Sequence, residues 1–197
     1  EYQKAAVIAP IYAPVYNLLG YAYRPLGNYQ ESEKAFKKYI ELIPGDPNPY
    51  DSYAELLLKM GRFEESIAMY RKALAADPHF VNSLAAIADN YVYMGKPDSA
   101  LAVTQEITAA ARNDAEKRTA IFTTAVIQAD QGKLDLALKA LEQEHTLAQA
   151  AADTATMAGD QDAMGDLMLE AGKPGDALQH YDQELKLIEA SGLSQEV

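Results

Sequence analysis

The chain has no cysteine, which excludes disulfides, thiolate catalysis and Cys-ligated metals, and fits a reducing or an oxidising compartment equally. Basic residues are scarce. Seventeen Lys and Arg stand against 29 Asp and Glu, a formal charge of −12. With no basic patch to neutralise phosphates, nucleic acid is excluded as a general partner, and an anionic membrane surface with it. No apolar run approaches the roughly 20 residues of a transmembrane helix, so no membrane insertion is expected. There is no glycine-rich phosphate loop, no G-x-S-x-G and no nucleophile–base constellation. The sequence therefore points away from an enzyme and implies no cofactor. The three histidines, His79, His145 and His180, fall at no ligand-like spacing. Glu142 and His145 form one Glu-x-x-His pair, but a di-metal site needs a second copy on a facing helix. No metal is expected, and the stretch around that pair reads as a solvated helix face. The chain begins at Glu1 with neither a methionine nor a visible leader, which leaves the compartment open: soluble, cytoplasmic or exported to a periplasm.

What the chain does have is a period. In the stretch from Pro47 to Phe80, apolar residues recur at helical spacing in two runs: Tyr50, Tyr53, Ala54 and Leu57, then Phe63, Ile67, Tyr70, Ala73 and Leu74. Gly61 lies between them, where a residue able to take positive φ ends a helix, and Asp77-Pro78 ends the second run. Stepping 34 residues back from Gly61 reaches Gly27, and 34 forward reaches Gly95. The same frame surrounds each. The next spacings lengthen: Gly95 to Gly132 is 37 residues, and Gly132 to Gly172 is 40. Asn113 is the expected N-cap of a long helix through Gln128, Lys133 to Ala152 reads as its partner, and Asp153 is the expected next cap.

Taken together, Tyr16, Leu19, Gly20, Tyr23, Gly27, Tyr29, Ser32, Phe36, Tyr39 and Pro44, repeated at 50–78 as Tyr50, Tyr53, Ala54, Leu57, Gly61, Phe63, Ser66, Tyr70, Ala73 and Pro78, resemble the tetratricopeptide repeat. The resemblance implies an all-α fold, a right-handed superhelix (an α-solenoid) of antiparallel helix pairs. It would form a single array over residues 1–197, with about five repeats and a partial one before them. Residues 1–12 would be the second helix of a repeat lacking its first. Regular repeats would span 13–46, 47–80 and 81–114, and longer, divergent ones 115–151 and 152–190. The tail from Ala190 to Val197 reads as a helix stop and the start of another element.

In this family the first helices of successive repeats line a concave wall. Carried onto this sequence, the wall-facing positions are Asn17, Tyr21 and Arg24, then Asn48, Asp51, Glu55 and Lys59, then Asn82, Ala85, Asp89, Val92 and Tyr93. Phe122, Val126 and Asp130 follow, and Asp162, Asp166 and Glu170 end the row. Most of the 13 tyrosines fall on packing positions, but Tyr21 and Tyr93 do not. The resemblance implies a non-catalytic protein–protein interaction scaffold. Its partner would be an unidentified protein or peptide, basic or apolar, since asparagine amides suit a peptide backbone and the acids suit Lys or Arg. The carboxylate clamp of chaperone-binding members is not reproduced. Its places hold Asn17, Tyr21, Ser52, Asn82 and Ala86, without the basic residues. The alternative reading is a structural or self-assembling module, a homo-oligomer formed through uncapped ends, or a regulatory segment of a larger protein.

Overall fold

The structure, a computed structural model, describes residues 2–191. Eleven α-helices and no strand occur among the described residues. They are α1 (Tyr2–Ile8), α2 (Ala13–Tyr23), α3 (Tyr29–Leu42), α4 (Pro47–Lys59), α5 (Phe63–Ala76), α6 (Val81–Tyr93), α7 (Pro97–Ala110), α8 (Asp114–Asp130), α9 (Leu134–Ala150), α10 (Thr154–Glu170) and α11 (Pro174–Ser191). The chain divides into two compact units, Glu1–Ala111 and Arg112–Val197. In each unit every helix packs on the next one in sequence. The expected stop and restart after Ala190 lies largely outside the described residues.

Small residues at fixed places bring the two helices of each pair together. In unit 1 the first helix offers Gly20, Ala54 or Ala88 and the second Ser32, Ser66 or Ala100, all buried. Unit 2 repeats this with Ala125 or Gly165 and Ala137 or Ala177. A Cβ on Gly20 would stand 2.5 Å from the Phe36 ring, and one on Gly165 would collide in the same way with the Tyr181 ring. Only glycine admits so large a neighbour so close. The serines tie the pairs by polar contact as well: Ser32 Oγ donates to the Gly20 carbonyl at 2.7 Å and Ser66 Oγ to the Ala54 carbonyl at 2.8 Å. Around these crossings lie Phe36, Tyr53, Leu56 and Leu57 in unit 1, and Leu141, Met164 and Leu167 in unit 2.

Gly61 takes φ 71°, and its N–H and that of Arg62 close the end of α4 onto Leu58 and Leu57 carbonyls at 2.9 Å. Gly27, Gly95, Gly132 and Gly172 share the left-handed φ, so each expected intra-repeat turn is present. Asn113 and Asp153 cap α8 and α10 through their side chains, accepting from the Glu116 and Thr156 N–H groups. The end of α9 differs from expectation. The helix stops at Ala150, and Ala152 takes φ 53°. The Asp153 N–H reaches back to the Ala148 carbonyl at 2.9 Å, closing the same kind of turn without a glycine.

A left-handed alanine costs about 1 kcal/mol relative to glycine, so Ala152→Gly is expected to stabilise the chain by up to about that amount in urea unfolding. Gly61→Val has space for its side chain, since a Cβ there meets nothing within 4 Å. It should still cost on the order of 1 kcal/mol or more through the backbone alone. A change within about 0.5 kcal/mol for Gly61→Val contradicts this account of the turn.

Candidate functional site

The 34-residue register places Tyr21, Glu55 and Asp89 at one position on the first helices α2, α4 and α6 of unit 1. Tyr21 Oη donates to Glu55 Oε2 at 2.9 Å and contacts Ser52 Oγ at 3.3 Å. Arg24 pairs with Glu55 at 2.8 Å and lies 5.0 Å over the Tyr21 ring, which packs edge-on against Phe36. Asp51, half-buried, accepts from Ser83 Oγ at 2.6 Å. Burial pushes its carboxyl above the ordinary value; the Ser83 hydrogen bond opposes the shift and the Glu55 charge adds to it. Asp89 is raised by burial alone and has no hydrogen bond or ion pair among the described residues. The Tyr70 phenol lies within reach of all three charges. Burial, then Asp51, Glu55 and Asp89, hold it protonated well above its usual range.

Tyr93, one turn beyond Asp89, is 67% exposed and stacks on Phe63 with ring centres 5.9 Å apart. Five of the expected residues, Tyr21, Arg24, Asp51, Glu55 and Asp89, thus form one cluster, with Tyr93 beside it. The others are arranged differently. Asn48 donates to Tyr39 Oη at 3.0 Å, and the Asn17 carbonyl oxygen is buried without a donor. Lys59 and Asn82 are exposed.

On the corresponding face of unit 2, Phe122 and Val126 are each 38% exposed. They line an apolar recess of about 160 Å³ with Ala129, Ala163 and Leu167. Next to it an open cleft of about 440 Å³ is lined by Phe122, Asp162 and Asp166, and also by Glu144 and Asp160. The sequence reading did not find these last two. Glu142 is exposed, as expected of a solvated face, and His145 is half-buried; on the other side of the helix Glu144 is 5% exposed, and Asp160 on the next helix is 1%.

Buried Arg118 pairs with Asp153. His145 Nδ1 stands 3.5 Å from Asp160 Oδ2, longer than a good hydrogen bond. Gln161 joins His145 at 3.5 Å to His180 at 2.8 Å. Burial pushes the Glu144 carboxyl up to about 8, aided by the Asp160 charge, and Asp160 up to about 6. A signal for them existed. Glu144 lies twelve residues after its turn glycine, where the first three repeats carry Tyr39, Ala73 and Ile107 and the fifth Glu184. Asp160 lies twelve before its own, where the other repeats carry Val15, Pro49, Ser83 and Ala120. No group of three or more His, Asp and Glu suited to a metal occurs among the described residues, and no described helix is long and apolar enough to cross a membrane.

Two tetratricopeptide repeat family profiles match the chain, over residues 11–79 and 57–120. No curated protein sequence matches it. Solved structures share the architecture. A thermophilic TPR protein of Thermus thermophilus is 20% identical, with TM-score 0.69, over 89% of this chain and 91% of its own. A tetratricopeptide repeat protein of Parabacteroides merdae is 15% identical with TM-score 0.66, covering 94% and 70%. YrrB, a TPR protein described as having an unusual peptide-binding site, is 18% identical with TM-score 0.53, covering 95% and 92%. The chain belongs to the tetratricopeptide repeat family, whose fold typically serves protein–protein interaction.

The raised carboxyls fix a sign for pH dependence. Glu144 and Asp160 hold protons in the folded chain that the unfolded chain releases near the ordinary 4.5 and 3.8. Their stabilising contribution is complete below those values and is lost as pH rises through about 6 and then about 8. Glu144→Gln cannot ionise. It should flatten the fall in melting temperature between pH ~5 and ~8.5, leaving the variant a few degrees above the parent at the alkaline end. A parallel curve for the variant refutes the assignment.

Proposed function

We propose that the chain is a non-catalytic scaffold that holds a basic peptide or protein segment against the first-helix face of unit 1. The observation that carries this reading is Asp89. Its carboxylate is half-buried yet lacks any donor or cation among the described residues, on the same face as Asp51 and Glu55. Desolvated acids left without a counter-charge are a standing electrostatic demand that a Lys or Arg of a partner answers. Tyr93, exposed one turn away, offers a flat surface to the same segment. Arg24 already neutralises part of Glu55, which makes Asp89 the more selective test.

On a peptide array, bound sequences should be enriched in Lys or Arg next to an apolar residue. Asp89→Asn and Tyr93→Ala should each weaken the best of them by about tenfold, the equivalent of about 1.4 kcal/mol, with the helical circular dichroism unchanged. Equal binding by parent and variants removes this face from consideration.

A second reading, self-association, is favoured by α1. Val7, Ile8 and Ile11 are 82%, 82% and 83% exposed and Tyr12 59%, an apolar surface of the sort that a further helix pair covers in a repeat array. If two copies meet there, sedimentation should show a dimer that Ile8→Glu with Ile11→Glu converts to monomer. A monomeric parent rules this reading out.

A further inference from the structure

We propose that the cleft of unit 2 is a pocket for the ammonium group of a lysine side chain carried by a partner peptide, with Glu144 and Asp160 as its floor. Phe122 enters from α8, Glu144 from α9, and Asp160, Asp162, Ala163 and Asp166 from α10. The proposal rests on two oxygens. Glu144 and Asp160 line the cleft; Glu144 Oε2 and Asp160 Oδ2 are buried and find no donor in any other described residue, so the two carboxyls face each other across the proton that Glu144 holds. Two buried carboxyls with only each other for company must hold a proton between them, and a cation can take that proton's place.

The cation nearest in the fold, Arg118, offsets only part of the rise in the two carboxyls. Arg118 is engaged with Asp153, and His145 stands 3.5 Å from Asp160 Oδ2. The walls suit an alkyl stem, since Phe122 is 38% exposed and Ala163 leaves room beside it. The rim acids Asp162 and Asp166 add attraction; Asp166 also accepts from Tyr181 Oη at 2.7 Å. An ammonium fits better than a guanidinium because the free oxygens belong to two separate carboxyls. They suit a compact donor set, while a planar fork is matched best by both oxygens of one carboxylate.

Binding displaces a proton. Burial keeps Glu144 protonated, up to about 8, and an arriving ammonium favours its ionised form. The groups facing the pair from the packed helices are Arg118, His145 and Asp153. Beyond them, His180 reaches it through Gln161, and Glu184 on α11 faces the rim, its own carboxyl raised by burial and then by Asp162 and Asp166. Lysine, with an ordinary value near 10.4, stays charged throughout, so affinity rises with pH.

The test is a titration of the ¹⁵N-labelled chain with N-acetyl-lysine methylamide, in parallel with the norleucine and arginine analogues. Lysine should shift the Phe122, Gly159 and Ala163 amides and bind about tenfold more tightly at pH ~8.5 than at ~6. The norleucine analogue, which has the stem without the charge, should bind at least about tenfold more weakly. Glu144→Gln should weaken lysine binding and abolish its pH dependence. Should that variant fail to fold, Asp162→Asn, on the exposed rim, should weaken binding several-fold. The proposal fails if lysine leaves those amides unmoved, if norleucine binds equally, or if arginine binds more tightly. The unit 1 face is followed by the Asp89 and Tyr93 amides, so each reading fails or stands separately.

Discussion

Each helix pair is built on a crossing where one backbone comes within reach of the other's side chains. Gly20 meets the Phe36 ring and Gly165 the Tyr181 ring at distances that no Cβ tolerates. Ala54, Ala88 and Ala125 occupy the same register at 0–2% exposure. Once the crossing is fixed, the rotation of each helix about its own axis is fixed as well. The residues one position beyond the small residue in the first repeats, Tyr21, Glu55 and Asp89, therefore share one face. The outward chemistry of unit 1 follows from an inward packing rule.

The two units use acidic residues in opposite ways. Unit 1 keeps its core apolar and places Asp51, Glu55 and Asp89 along the first-helix face, where Ser83, Tyr21 and Arg24 satisfy the first two. Unit 2 places Glu144 and Asp160 at core positions. Two adjacent ionised carboxyls there, with Arg118 already paired, would leave uncompensated buried charge. Burial lifts Glu144 to about 8 and Asp160 to about 6, so the pair keeps a proton and avoids this. The longer helices of unit 2, 17 or 18 residues against 11 to 14 for the full-length helices of unit 1, add packed surface that helps to carry a polar interior.

The five left-handed glycines and the caps at Asn113 and Asp153 were legible in the sequence, because each depends on local backbone chemistry. Ala152 was not, since alanine carries no signal for positive φ and only the surrounding contacts hold it there. The first-helix face was legible as a row of residues, but not which of them pair with one another. Asn48 and Asn17 point to internal partners or bury themselves, a consequence of tertiary packing that spacing does not encode. Glu144 falls on the repeat frame, but its pairing with Asp160 in the interior was hidden for a different reason. Helical periodicity counts apolar residues, and an acid at a core position reads as an interruption of the pattern instead of a feature of it.

Repeat architecture explains how such a change is tolerated. Each repeat contacts only its neighbours, so stability is close to a sum of repeat and interface contributions. A carboxyl at the position of Ile107 weakens its own repeat without unmaking the others. In a fold with one central core, the same substitution would act on the whole transition. That independence also separates two demands that conflict in most binding sites: a rigid frame and a strained, poorly solvated group ready to meet a ligand. Here the frame is the ladder of small-residue crossings, which Ala137 and Ala177 maintain at 0% exposure on either side of Glu144. The strained group is an acid pair set one turn and more from those crossings. The proton held there is what a cation would have to replace, while the crossings keep the frame around it.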